Sequence, residues 1–350
     1  MPRRRSALGS QRAFFFKQAG SIDQDVGDFL AEVDQRLRPF MKRALSLVPN
    51  VEPLKKGLNF QIVTGGKRIR AALCVLTCEM FGTSYDKALN YAAAIEHLQN
   101  FTLIHDDIAD GDTQRRFRES IWKKFGIPHG INIGDVFVPF ASLSILDSRY
   151  TDKVKLKLLH LVSECGLEMV EGQTIDINMR HKDNATVAEY LECTKKKTGA
   201  FLAMAMLGGA VIGGANDKSL ASLRAFALLG GTAFQIKDDV LDIDGIKGRD
   251  IGSDVLEGKR TLLVIHAAHK ASDADRKKLF QILNKERALK TPEDVTWVCD
   301  LFRRTGALDF AEWKAMELAY QACGYLMHFP DNNAKYRLLR LSKYLSKRIQ

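Results

Sequence analysis

The sequence is poor in the features that mark several large protein classes. Strand signals are nearly absent: no segment sustains apolar/polar alternation, and no Asn-Gly or Asp-Gly pair sits between β-branched runs. No uninterrupted apolar run approaches the roughly 20 residues a membrane span needs. The 6 cysteines, at positions 74, 78, 165, 193, 299 and 323, show no paired spacing. Cys74 and Cys78 stand four apart with no matching pair and no His-x3-His, so neither a disulfide framework nor a zinc site is expected and a cytoplasmic setting is the default. A Walker-type glycine loop is missing, which argues against a nucleoside triphosphate. There is no repeat of 20–50 residues and no low-complexity linker in the middle of the chain.

What is present is helical periodicity. The chain has 350 residues, 46% of them hydrophobic, enough for a sizeable core. In "DVGDFLAEVDQRLRPFM", Val26, Phe29, Leu30, Val33 and Leu37 follow i, i+3, i+4, i+7 spacing. Similar patterns cover about 87–110, 153–178, 186–213, 219–243, 260–285, 308–328 and 334–348, with short turn-rich joints such as "PNVEP", "GIPHG", "GGAND" and "FPDNN" between elements. These predict a basic, solvated, mobile tail over 1–18 and one all-α domain over 19–350, a bundle of about ten to twelve helices.

Charge is unevenly placed. The formal net charge is +10, from 52 Lys and Arg against 42 Asp and Glu. Such an excess suits nucleic acid, an anionic membrane or anionic small substrates, and composition does not choose among them. The acids are more telling. "LIHDDIAD" puts Asp106 and Asp110 four apart on a helix, one turn above each other on a shared face, with Asp107 beside them. By itself this reads as a solvated acidic helix end. "FQIKDDVLDIDG" repeats the pattern with Asp238, Asp239 and Asp242, and places Gln235 on the face of Asp238. Two such clusters on two apolar helices are poorly explained as solvated surface. A hard divalent cation between facing helices removes the repulsion, and Mg2+ typically takes one or two carboxylates plus waters and phosphate oxygens.

Cations stand beside these acids. Lys67, Arg68 and Arg70 follow a Gly-Gly joint, Arg115 and Arg116 follow the first cluster, Lys197 sits in "KKKTGA", and Lys247, Arg249 and Lys259 follow the second. Singly each reads as an ordinary solvated charge. Together, beside magnesium and carboxylates, they suit a polyphosphate. An open basic stripe with interleaved aromatics, the mark of a nucleic-acid binder, is not seen.

The ordered set "GGKRIR", "LIHDDIAD", "RR", "GQTID", "KTGA", "FQIKDDVLD" and "GSDVLEGKRTLLV" resembles the trans-isoprenyl diphosphate synthases, the farnesyl/geranylgeranyl diphosphate synthase family, over residues 57–270. The resemblance implies an isoprenoid-synthase helical bundle, a single domain with a central cavity and two facing DDxxD helices. It implies condensation of isopentenyl diphosphate with an allylic diphosphate (dimethylallyl, geranyl or farnesyl), with no membrane span and no nucleic acid, in a homodimer. Three Mg2+ ions are implied, with Asp106, Asp110 and Asp238 as direct ligands and Asp107, Asp239 and Asp242 in support. Arg115, Lys197 and Lys259 would hold the allylic diphosphate, and Thr198 and Gln235 would face the carbocation. Lys67, Arg70, Gln99 and Arg116 would hold isopentenyl diphosphate. Arg249 stands at a substrate-binding position where the family more often has Lys. The family usually follows its Arg-Arg pair with Gly and, two residues later, Pro; Phe117 and Glu119 stand there instead and put the aim of Arg116 in question.

Phe101 and Thr102 lie about one turn before Asp106 and Leu98 a turn further, so they are the candidate floor for the growing chain. A floor at Phe101 argues for a short product; the resemblance of the Phe-Thr pair to that of geranylgeranyl synthases implies geranylgeranyl diphosphate, with farnesyl diphosphate as the alternative. A class I terpene cyclase would carry an Asn/Ser/Glu motif in place of the second aspartate cluster. A non-catalytic partner subunit would have lost aspartates, and all six are intact. His97 and His105 read as packed or hydrogen-bonded structural residues, since the implied chemistry needs neither.

Overall fold

The apolar positions that recur at helical spacing become the buried faces of helices. The computed structural model describes residues 20–48, 50–243 and 252–347. The segment 1–18 read as a tail, and Lys247 and Arg249, lie outside the described residues. In chain order the helices are α1 (Gly20–Arg43), α2 (Leu54–Thr64), α3 (Ile69–Met80), α4 (Leu89–Asp110), α5 (Ile121–Phe125), α6 (Ile127–Leu146), α7 (Asp152–Met179) and α8 (Val187–Thr194). They continue as α9 (Ala200–Gly213), α10 (Asp217–Ile243), α11 (Ser253–Leu256), α12 (Leu262–Lys270), α13 (Asp273–Leu283), α14 (Pro292–Arg304), α15 (Ala307–Gly324) and α16 (Asn333–Lys347). A two-stranded ribbon, β1 (Gln114–Arg115) and β2 (Arg118–Glu119), is the one sheet among the described residues.

The all-α class holds, with more helices than the ten to twelve expected, for two physical reasons. Some predicted helices are interrupted. The run 260–285 breaks at Ser272, whose side chain caps α13 by accepting from the Asp275 N–H at 3.2 Å. The run 186–213 contains a widened π turn at Lys195–Gly199. Other helices carried no amphipathic signal. α3 is buried on nearly every residue, and a helix that is apolar all round shows no stripe.

α6 is the second such case. It is long and apolar enough to cross a membrane by length and composition alone, at a mean hydropathy of 1.3, although polar residues interrupt its apolar run. In the fold one side of it packs on α4, with Ile133, Phe137 and Phe140 buried. Ile131, Val138 and Leu146 remain exposed on other sides.

Two apolar clusters make up the interior. The larger gathers α1, α3, α4, α6 and α9; the smaller gathers the end of α10 with α12–α15. α10 runs from one into the other: Leu223, Phe226 and Ala227 belong to the first, and Ala233, Ile236, Val240 and Ile243 to the second. The second aspartate cluster therefore rides on the helix that joins the two. Lys237, one residue before it, is rotated away and pairs with Glu312 on α15 at 2.9 Å.

Arg68 helps fix the entry of α3. It adopts a left-handed backbone (φ 52°), and its buried guanidinium donates to Asp34 on α1 and Glu96 on α4, both at 2.8 Å. Removing one partner of such a buried pair costs about 3–5 kcal/mol. All three cations of "GGKRIR" border the cavity, but the Arg68 guanidinium is taken up by Asp34 and Glu96 and so belongs to the scaffold.

Candidate active site

A cavity of about 1020 Å³ opens among α3, α4, the β1–β2 ribbon, α7, the π turn and α10. Both aspartate helices reach it. Asp106 and Asp110 line it from α4, and Asp238 and Asp239 from α10.

The two α4 carboxylates are held differently. Asp110 is almost wholly buried; its Oδ1 accepts from Arg180 Nη2 at 2.7 Å and its Oδ2 from Lys259 Nζ at 3.4 Å. Burial would raise its pKa, but the Lys259 ammonium and then the Arg180 guanidinium outweigh burial and hold it well below the usual carboxylate range. Asp106 is half-buried, and burial raises its pKa; the Lys197 ammonium opposes the rise and the Asp110 charge adds to it. Asp107 is turned off the cavity and accepts from Arg115 Nε at 2.8 Å.

On α10, Asp239 accepts from Tyr190 Oη at 2.6 Å and from Gln235 Nε2 at 2.9 Å, while Gln235 Oε1 accepts from Thr198 Oγ1 at 2.8 Å. Thr198 and Gln235, expected to face a carbocation, are thus joined in one chain that ends on the second aspartate cluster. Asp242 departs from expectation. It does not line the cavity; it accepts from Ser253 Oγ at 2.7 Å and from the Asp254 N–H at 3.0 Å. It stands at the end of α10, where its oxygens anchor the returning chain.

The expected cations converge. Lys197 and Thr198 lie in the π turn, a widening that recurs at functional sites. Gly172 of "GQTID" allows it: a Cβ there would stand 2.3 Å from the Lys197 backbone nitrogen. Lys197 Nζ donates to Asp176 on α7 at 2.9 Å. Burial alone would lower the Lys259 pKa, but Glu257, Asp254 and Asp110 hold it well above the usual value.

Lys67, Arg70, Gln99 and Arg116 line the same cavity. Burial lowers the Arg70 pKa to about 10, and its guanidinium lies 4.5 Å from the centroid of Phe201. Arg70 Nε, Gln99 Oε1 and Gln173 Oε1 are buried with no partner among the described residues, polar atoms on cavity-lining side chains that no protein group satisfies. The donors at the aspartates are all oxygens, and no three acidic, His or Cys side chains form a closed cage among the described residues. A hard divalent cation whose shell is completed by phosphate oxygens and water fits such a set.

Phe101 and Thr102 line the cavity, while Leu98 is packed in the core and does not reach it. The Phe101 ring lies 4.5 Å from the ring of His105, whose Nε2 stands 3.3 Å from an Asp135 carboxylate oxygen. His97 is fully buried between Phe137 and Phe140, and burial pushes its pKa down to about 3, so it is a neutral packing residue.

Arg180, Asp176, Tyr190, Glu257 and Arg287 had no assigned role in the sequence reading. Arg180 lies four residues after Asp176, a spacing that could have found it. Arg287 gave no local sign; it donates to the Asp110 carbonyl at 2.7 Å and to the Asp112 carboxylate at 3.1 Å from far along the chain.

The sequence pattern of polyprenyl synthetase matches residues 52–301. The chain belongs to that family. It is 32% identical over 327 residues to the short chain isoprenyl diphosphate synthase of Methanothermobacter thermautotrophicus, covering 93% of this chain and 99% of that one. It is 34% identical over 333 residues to the geranylgeranyl pyrophosphate synthase of Geoglobus acetivorans, again covering 93% and 99%. Among solved structures, geranylgeranyl pyrophosphate synthase from Corynebacterium glutamicum, complexed with isoprenyl diphosphate and magnesium, aligns with a TM-score of 0.83 at 25% identity, covering 93% of this chain and 99% of that one.

The loop after the arginine pair is a two-residue hairpin. Gln114 pairs with Glu119 and Arg115 with Arg118, leaving Arg116 (φ 53°) and Phe117 (φ 62°) at its tip. Such tips favour Asn-Gly because both residues have positive φ. Phe117 is 84% exposed, so its ring gains little burial. The fold accommodates it, and Arg116 keeps its place because Gly66 leaves room: a Cβ there would stand 2.8 Å from Arg116 Nη2. Phe117→Gly is therefore expected to raise the unfolding free energy by about 1 kcal/mol, read as a higher urea midpoint, because a non-glycine residue pays roughly that much in the left-handed region. An unchanged or lower midpoint would contradict this.

Proposed function

We propose that this cavity joins isopentenyl diphosphate to an allylic diphosphate. The chain is a short-chain trans-prenyltransferase, a polyprenyl diphosphate synthase. The observation that carries the assignment is the pair of aspartate clusters on two helices lining one cavity, with Lys197 and Lys259 drawn in among their carboxylates. The Corynebacterium glutamicum relative, complexed with magnesium and isoprenyl diphosphate, supports a divalent metal. Mg2+, three ions by resemblance, would be held by Asp106, Asp110 and Asp238 and would supply counter-charge to the leaving diphosphate.

Around that site, Arg115, Lys197 and Lys259 hold the allylic diphosphate. When its C–O bond breaks, the electron pair passes to a diphosphate oxygen, and these cations stabilise the charge as it develops. Asp107 orients Arg115, Asp239 orients Gln235, and Asp242 anchors the segment after α10. Thr198 and Gln235 present oxygens toward the allylic cation, and the surrounding apolar wall excludes water. Lys67, Arg70, Gln99 and Arg116 hold isopentenyl diphosphate without metal; Arg249 is assigned to substrate by resemblance alone. Its double bond supplies the electron pair of the new C–C bond. The neighbouring C–H pair becomes the new double bond, and the proton passes to the departed diphosphate.

The exposed apolar residues Ile131, Val138, Leu146 and Leu167 on α6 and α7 suit coverage by a second copy, so we assign a homodimer. Six buried free cysteines suit a reducing cytoplasm. Geranylgeranyl diphosphate is the assigned product, because Phe101 and Thr102 line the cavity as a floor for a short chain, the Phe-Thr pair resembles that of geranylgeranyl synthases, and the Geoglobus acetivorans relative is a geranylgeranyl pyrophosphate synthase. Farnesyl diphosphate is the shorter alternative.

Asp106→Ala and Asp238→Ala are each expected to lower turnover of labelled isopentenyl diphosphate by about 10²-fold or more with helical circular dichroism retained. Near-normal turnover in either would remove that aspartate from the site. Phe101→Ala is expected to lengthen the product by at least one five-carbon unit, read by chromatography after dephosphorylation; an active variant with unchanged products would place the floor elsewhere. Sedimentation equilibrium is expected to return the mass of two chains, and a monomer mass would refute the assigned interface.

A further inference from the structure

Asp106 and Asp110 share one face of α4, yet only one of them is open. No hydrogen bond or ion pair to Asp106 is found among the described residues, whereas both oxygens of Asp110 are taken. Lys259 holds Oδ2 at 3.4 Å, and Arg180, at the end of α7, holds Oδ1 at 2.7 Å. The two cations differ in what else they hold. Lys259 also pairs with Asp254 at 3.2 Å and with Glu257, so it stays neutralised if Asp110 turns elsewhere. Arg180 has a longer approach to Asp176, at 3.9 Å, and the Glu257 charge nearby, and its Nε is buried with no partner among the described residues. Asp176 is itself shared, since the same Oδ2 accepts from Lys197 at 2.9 Å.

We propose that Arg180 is a positioning residue that occupies Asp110 until a diphosphate enters, so that divalent-cation binding at that carboxylate depends on substrate. The proposal rests on the function assigned above and adds to it a residue and an order of events. A guanidinium and a metal ion cannot both use Asp110 Oδ1. Arg180 does not itself line the cavity but stands against Asp110 and Asp176, which do; on leaving Asp110 its guanidinium can turn to the phosphate oxygens of a diphosphate held there, acceptors that guanidinium groups favour. The exchange moves Arg180 from carboxylate to phosphate and uncovers Oδ1. Binding of the two ligands is then coupled, and by linkage each tightens the other.

The test uses Mn2+ alone as probe, with free metal read by electron paramagnetic resonance on the full-length chain. Arg180→Gln is expected to tighten Mn2+ binding about tenfold relative to wild type, within the usual range of such couplings. Arg180→Lys, which keeps the cation, is expected to restore binding toward the wild-type level. Asp110→Asn placed in the Arg180→Gln background is expected to abolish the gain. A merely structural arginine would give no gain on removal. If Arg180→Gln fails to fold by circular dichroism, Arg180→Met carries the same comparison, and Arg180→Lys tests it from the charged side.

Retention of labelled inorganic diphosphate by the wild-type chain, with and without Mn2+, separates the two levels of the argument. Mn2+-dependent retention together with unchanged or weaker Mn2+ binding in the Arg180→Gln chain overturns the role of Arg180 and leaves the site assignment standing. Absence of measurable Mn2+ binding in both chains overturns that role as well. Absence of Mn2+-dependent retention in the wild-type chain overturns the site assignment and this proposal with it.

Discussion

The structure depends on keeping several carboxylates in a largely buried cavity. Each negative charge removed from water is costly unless a cation is brought to it, and removing one member of such a pair leaves the other uncompensated. The chain meets this by drawing cations from separate segments: Arg115 from the ribbon after α4, Arg180 from the end of α7, Lys197 from the π turn and Lys259 from beyond α11. The carboxylates on α4 are thereby tied to parts of the chain as many as 149 residues away. These ties also determine which carboxylate oxygens are open to a ligand and which are covered.

The surrounding helices exist in the arrangement that makes those ties possible. α10 passes from one apolar cluster into the other, so Asp238 and Asp239 are carried on a helix anchored at both ends by burial. The π turn is pressed against α7 at Gly172, which brings Lys197 within reach of Asp176. The same turn directs Thr198 to Gln235 and so connects the helix carrying the second cluster to the cation site. Arg68, taken up by Asp34 and Glu96, fixes the start of α3 and leaves Lys67 and Arg70 to the cavity. Charges with apparently equal claims in the sequence thus divide into scaffold and site according to which of them find carboxylate partners on neighbouring helices.

Much of this was legible before any coordinates. Val26, Phe29, Leu30, Val33 and Leu37 are all buried, as their spacing required. Asp106 and Asp110 share a face of α4, and the cations named beside them gather at the cavity where they are described. Elements without contrast were not legible. α3 is apolar on nearly every side and α6 is apolar along most of its length, so neither shows a polar stripe against which a buried face could be read. Leu98 is reached by extending the Asp106 face of α4 a further turn, and Asp242 by the repeat of the aspartate pattern on α10; neither side chain lines the cavity. α10 ends at Ile243, so Asp242 meets the returning chain, and Leu98 faces the core although Glu96 and Gln99 on either side of it line the cavity.

The sequence by itself determined the class of fold, the two aspartate clusters and the cations available to them, because these follow from the 3.6-residue period and from local charge spacing. Only the tertiary structure decided which cation holds which carboxylate. Arg180 reaches Asp110 across 70 positions and Arg287 reaches the end of α4 across 177, and no local pattern encodes such distances. The tertiary structure also decided that Phe117 could occupy a left-handed position at a hairpin tip. Its ring lies in solvent, and the neighbouring Arg116 finds room against Gly66, a residue 50 positions away that comes beside it only when the chain is folded.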